Sequence, residues 1–219
     1  AYRIWNKRYS RFWALMLEDA LRILGRLPVL AAGIYRLRYG KGPRRQPSAR
    51  LDLAGNLAHL LGLEDSEEVR RFMRRYLVVH SDHESGNATA YSTLTVASAL
   101  NDAYYSLAAG MAALAGPLHG QAAKEALRFQ RELVDRYGGV PTRRQLEEEV
   151  EQRLASGRLV HGFGHAVLRV EDPRYRALCE FGEEHFPGDE LLRVACLLRD
   201  VAPDVLRRRT QVALSLIHI

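Results

Sequence analysis

The chain has 219 residues, of which 47% are hydrophobic and 26% charged. It can bury a core of one large domain or two modest ones, and that balance excludes disordered and collagen-like chains. Its formal net charge is +6, carried by Arg far more than by Lys, whose only copies are Lys7, Lys41 and Lys124.

The planar fork of Arg suits carboxylate and phosphate, so anionic ligands fit such a chain. A genome rich in GC codons gives the same bias, so each arginine is argued by position. Two cysteines, Cys179 and Cys196, are too few for a disulfide scaffold and point to a reducing compartment. No long uncharged apolar run is read, so no transmembrane span is expected, and no signal peptide is visible.

The periodicity predicts helices almost throughout. Ser10–Leu27 carries Phe12, Leu15, Leu17, Leu21 and Leu24 at helical spacing, and Pro28 is expected to interrupt it. A basic loop of residues 39–47, expected to be solvated, leads to a short helix at 51–61. Ser66 caps a third helix, with Glu67 and Glu68 in its first turn and Arg74 and Arg75 near its end. Residues 88–100 and 104–114 are rich in Ala, Ser and Thr, and small residues predict a closely packed, buried helix pair.

Residues 121–137 form an amphipathic helix stopped by Gly138 and Gly139. Thr142 and Gln145 form a capping-box pattern opening a helix to Ser156. Residues 157–170 read as turns. Asp172 followed by Pro173 marks a helix start. A last helix at 189–199 is followed by a turn at Pro203. The expected fold class is all-α.

Three breaks between helices carry histidine beside glycine: His80-Ser-Asp-His83-Glu-Ser-Gly-Asn87, Gly116-Pro-Leu-His119-Gly120 and Gly162-Phe-Gly-His165-Ala-Val-Leu-Arg169. Glycine allows close ligand approach, and histidine moves protons near neutral pH or donates to a carbonyl oxygen. Arg169 and Arg174 follow the third break. Each charge-assisted bond they make to an anion contributes about 1.5–3 kcal/mol. A lone histidine such as His59 or His185 is more simply a packed or capping residue. His80, His83 and Glu84 lack the HExxH spacing of zinc hydrolases, and no metal is expected. Gly162 and Gly164 lack the Lys and Ser/Thr of a P-loop. No nucleic-acid-binding module is evident.

Taken together and in this order, the three strings resemble the signatures of citrate synthase, of the eukaryotic mitochondrial type, and Asp172-Pro-Arg174-Tyr175 fits the same family. The resemblance runs from about Trp13 to Leu206. It implies an all-α, two-domain fold, with residues 1–120 in a large domain and 121–213 in a small one. It also implies condensation of acetyl-CoA with oxaloacetate and water to citrate and CoA, by a homodimer, with no cofactor, nucleic acid or membrane. Residues 97–114 would be interface helices.

By resemblance, His119 and His165 are catalytic: His119 donates to the thioester carbonyl and His165 polarises the ketone. His83 and Arg174 bind oxaloacetate. Arg169 meets a CoA phosphate, and Leu159, Val160, Gly162, Phe163 and Gly164 line the CoA adenine site. His161 and Phe163 replace the Pro and Tyr usual in the family, and residues 88–93 lack its usual His. The implied location is the mitochondrial matrix, with bacterial cytoplasm or peroxisome as alternatives.

In the family the carboxylate base lies beyond the stretch matched here, so no residue of this chain takes that role. Leu214–Ile219 resembles translated adapter sequence. The expectation is an inactive fragment of the enzyme with a foreign tail at 214–219. The alternatives are a 2-methylcitrate synthase, whose substrate differs by one methylene worth about 1–3 kcal/mol, and a non-catalytic helical interaction protein of the same fold. A metal-dependent hydrolase is the third.

Overall fold

The structure is a computed structural model. It describes residues 12–63, 65–81, 86–163 and 171–210. Among these residues the regular structure consists of nine α-helices, so the all-α expectation holds. They fall into two compact units that divide between Leu114 and Ala115. No helix among the described residues is long and apolar enough to cross a membrane.

The first unit contains α1 (Phe12–Arg38), α2 (Leu53–Leu61), α3 (Glu67–Val79), α4 (Ala88–Ser98) and α5 (Ala103–Leu114). Contrary to expectation, α1 runs through Pro28. Proline inside a helix loses one backbone hydrogen bond and costs about 3 kcal/mol. Packing overrides that cost. Pro28, Ala32 and Arg36 recur every four residues and are all buried, so the helix must continue for this stripe to face α2 and α5.

Arg36 organises the loop that looked merely solvated. Its guanidinium donates to the carbonyls of Pro43 at 2.8 Å, Leu61 at 3.2 Å and Lys41. Helix ends leave carbonyls unsatisfied, and Arg36 meets one at the end of α2. Arg45 takes another, the His59 carbonyl, at 3.1 Å. His59 itself bonds the Gln46 carbonyl at 3.1 Å, the packed role expected of a lone histidine.

Asp52 caps α2, accepting from the Gly55 amide at 2.7 Å, and Ser66 caps α3, accepting from Val69 at 3.2 Å. Arg74 is not a simple dipole partner. It bonds Asp52 at 2.6 Å and Glu67 at 2.9 Å, tying α3 to the start of α2.

The small-residue helices α4 and α5 pack closely on each other, as their composition requires. They are not a buried pair, however. No residue of α4 is buried, and Tyr91, Leu94, Tyr105 and Met111 are exposed. The buried seam is narrow, formed on α5 by Ala103, Ser106 and Gly110. At Gly110 a Cβ would collide with the Thr93 hydroxyl and press on the Thr89 carbonyl at 3.2 Å.

The second unit contains α6 (Gln121–Tyr137), α7 (Arg143–Ala155), α8 (Pro173–His185) and α9 (Glu190–Thr210). Its core joins Phe129 and Leu133 of α6 to Leu146 and Val150 of α7 and to Val194, Leu198, Val201, Ala202, Val205 and Leu206 of α9. The capping box at Thr142 and Gln145 forms as read. The expected turn at Pro203 does not form: α9 continues to Thr210. Val201 and Ala202 before Pro203, and Val205 and Leu206 after it, extend one buried stripe, and that burial outweighs the lost hydrogen bond.

Two outcomes follow. Gly110→Ala should cost the first unit about 1–3 kcal/mol, read by urea unfolding. Asp52 sits below the usual carboxylate range, chiefly through its bond from Arg74 and then through the Gly55 amide. A depressed folded-state pKa contributes stability above the unfolded value, near 3.9, and loses it as the pH falls further. The stability of the first unit should therefore drop below about pH 4, and Asp52→Asn, which keeps the cap, should flatten that drop.

Candidate active site

Helix α8 starts as its sequence dictates. Pro173 occupies the first turn, and the Asp172 carboxylate accepts from the Arg174 amide at 2.9 Å. Asp172 is only 1% exposed. A buried carboxylate is costly unless cations and donors meet it. Arg174 supplies both by folding its side chain back over its own helix start. Its Nε lies 3.0 and 3.1 Å from the two carboxylate oxygens, and Nη2 lies 2.6 Å from Oδ2. These bonds push the Arg174 guanidinium above its ordinary range, against the opposing effect of burial. Asp172 is therefore more than the cap expected: it fixes the cation two residues later.

His119 sits in the turn entering α6. Its amide donates to the Gly116 carbonyl at 3.1 Å, and its carbonyl accepts from Ala122 at 3.0 Å. Gly120 offers no side-chain cap, and Gln121 reaches back to the Ala115 carbonyl at 2.7 Å. The imidazole is half-buried on a backbone with two fixed bonds.

The loop after α7 has a mixed character. Leu159 is exposed, whereas Val160 is buried in the core. The Phe163 amide donates to the Val160 carbonyl at 3.2 Å, a turn that puts Gly162 at φ +97°, where a side chain would be strained. Phe163 packs against both the main core and Tyr175 of α8. The structure thus brings the loop against the helix that carries Arg174. His161 lies edge-on to Phe129, with ring centroids 6.3 Å apart. Val160 and Phe163 anchor the loop in the core, His161 and Gly162 are half-buried, and Leu159 is exposed. His83, Gly164, His165 and Arg169 lie outside the described residues.

Sequence reasoning missed the support beneath this loop. Arg153 and Glu149 are both buried and bond at 3.0 Å. The Arg153 guanidinium lies 4.0 Å above the Phe129 ring and reaches Glu132 at 3.4 Å. Arg136 closes the network onto Glu149. The signal was the four-residue spacing of Glu149 and Arg153 on the helix face that also carries Leu146 and Val150. An open apolar cleft of about 740 Å³ runs along α1, lined by residues such as Val29, Leu30 and Ile34. It contains none of the residues selected by motif.

Residues 6–214 match the family described as "Citrate synthase, C-terminal domain". The chain belongs to the citrate synthase family. A mitochondrial citrate synthase of Fragaria ananassa is 46% identical over 198 residues, covering 90% of this chain and 42% of that protein. The mitochondrial citrate synthase of Saccharomyces cerevisiae is 44% identical over 199 residues, covering 91% of this chain and 41% of its own length. The crystal structure of citrate synthase from Thermotoga maritima superposes with a TM-score of 0.74 at 27% identity, covering 91% of this chain and 52% of that one. The chain spans about two fifths of the length of the curated relatives it matches.

Asp172→Ala removes a cap and leaves Arg174 without its carboxylate. It should cost about 2–4 kcal/mol, measured by denaturant unfolding of the second unit. Asp172→Asn keeps the cap and should cost less.

Proposed function

We propose that the protein carrying this chain condenses acetyl-CoA with oxaloacetate and water to give citrate and CoA. The observation that carries the reading is the Asp172–Arg174 fork, an arginine held at a helix start beside the Phe163 turn, in a chain matched to this family along nearly its whole length. Oxaloacetate is a dicarboxylate, and a guanidinium already positioned binds a carboxylate with less ordering than a free one.

Arg174 and His83 hold oxaloacetate. His119 donates a hydrogen bond to the thioester oxygen of acetyl-CoA as its methyl group loses a proton, stabilising the developing enolate. The enolate carbon then attacks the oxaloacetate ketone, which His165 polarises, and the new carbon–carbon bond gives citryl-CoA. Water cleaves that thioester, releasing CoA. Arg169 meets a CoA phosphate, and the backbone of residues 159–164 lines the adenine site. The base that takes the methyl proton is not assigned to any residue of this chain.

The protein works as a homodimer in the mitochondrial matrix. Support for the dimer comes from α4 and α5, which leave the large apolar side chains of Tyr91, Leu94, Tyr105 and Met111 exposed. Relatives named for mitochondria, alongside a peroxisomal form in Saccharomyces cerevisiae, support the location.

The test uses protein expressed from the whole reading frame, with CoA release from acetyl-CoA followed at varied oxaloacetate. Arg174→Leu should raise the KM for oxaloacetate at least tenfold, the loss of about 1.4 kcal/mol or more. His119→Ala should lower kcat by about 10²–10³ with little change in that KM. Full activity in both variants would overturn the reading.

A further inference from the structure

Farther along the helix that starts at Asp172 and Arg174, the only cysteines of the chain face each other. Cys179 lies in the middle of α8 and Cys196 in α9, and their sulfurs are 2.8 Å apart. Both are free thiols. Unbonded heavy atoms settle at about 3.5–4.0 Å, and a disulfide needs about 2.05 Å. The pair is already inside ordinary contact, and closure requires a movement of under about 1 Å.

The surroundings divide the two sulfurs. Cys179 is 4% exposed. It approaches the Tyr175 hydroxyl at 3.8 Å and accepts from the Arg199 guanidinium at 3.7 Å. Cys196 is half-buried and lines a cavity of about 130 Å³ with Glu183, Pro187, Leu192 and Arg193. A small oxidant can therefore reach Cys196 while Cys179 waits behind it. Burial pushes the Cys196 thiol up, which keeps that sulfur neutral when reduced and slows its attack on an oxidant.

We propose that Cys179 and Cys196 are a modification site: a dithiol that a hydroperoxide oxidises to an intramolecular disulfide and a small thiol reduces again. One sulfur attacks the peroxide and becomes a sulfenic acid, releasing one water. The second sulfur displaces the hydroxyl group, forming the S–S bond and releasing a second water. Two thiols and one hydrogen peroxide thus give one disulfide and two waters. The bond staples α8 to α9, adding to the Tyr175 bond to the Ala195 carbonyl at 3.2 Å and the Arg199 bond to Cys179. It therefore bears on the helix whose first turn holds Asp172 and Arg174.

The same cluster could be read as a metal site, because Glu183 offers a carboxylate oxygen within 4.8 Å of both sulfurs. The geometry favours the disulfide. Two thiolates on one tetrahedral zinc, at about 2.3 Å each, sit about 3.8 Å apart, and 2.8 Å is too close for that.

The test treats purified, reduced protein from the whole reading frame with hydrogen peroxide and reads intact mass and tryptic peptides without reductant. The expected product is a monomer lighter by two hydrogens, with the peptides of Cys179 and Cys196 joined. Dithiothreitol should restore the original mass. The oxidised chain should unfold about 10 °C higher than the reduced one, and Cys196→Ser, a small change at the more exposed sulfur, should abolish that gain. Oxygen added to either cysteine without the joined peptide would overturn the proposal. So would cross-linking between chains, or one tightly held zinc per reduced chain that Cys196→Ser releases.

Discussion

A carboxylate with 1% exposure is the constraint around which the candidate site is arranged. Asp172 must be ionised to cap α8 strongly, and a buried ion needs its charge answered nearby. Arg174, two residues on, answers it with Nε and Nη2. The helix start, the position of the cation and the burial are then one arrangement. The proposed oxaloacetate site inherits its rigidity from this local pairing, because the guanidinium is oriented before any ligand arrives.

A second buried charge plays the same part under the neighbouring loop. Arg153 and Glu149 pair inside α7, and the guanidinium lies over Phe129. Phe129 in turn meets the edge of His161. Breaking a buried pair by removing one partner costs about 3–5 kcal/mol, more than a surface pair contributes. These charges thus brace the turn from Leu159 to Phe163, while Val160 and Phe163 tie it to two parts of the core.

Local rules made much of this legible. The caps at Ser66, Thr142 and Asp172 depend on neighbours within three residues, so the sequence displays them, although the helix expected at 51–61 places Asp52 inside it and not as its cap. The same holds for the stop at Gly138. Long-range packing was not displayed. Pro28 and Pro203 read as breaks because a proline's cost is local, whereas the buried stripes that carry α1 and α9 through them need partners elsewhere in the fold. Arg36 and Arg153 look like any arginine in so Arg-rich a chain, and only the carbonyls or the ring they meet distinguish them. The pair α4 and α5 read as buried because small residues signal close approach, and they do approach closely. Composition did not tell that their other faces stay uncovered. At the candidate site, motifs picked out His119 and Arg174 but not the fork on Asp172, since an N-cap and an ion pair share the same two letters.

The most direct measurement is a double-mutant cycle on protein from the whole reading frame, comparing kcat/KM for oxaloacetate in Asp172→Asn, Arg174→Gln and the double variant. If Asp172 acts by positioning Arg174, the losses are non-additive and the double variant is no worse than Arg174→Gln alone. If the two losses simply add, Asp172 and Arg174 act independently, and the account of a pre-oriented guanidinium is wrong.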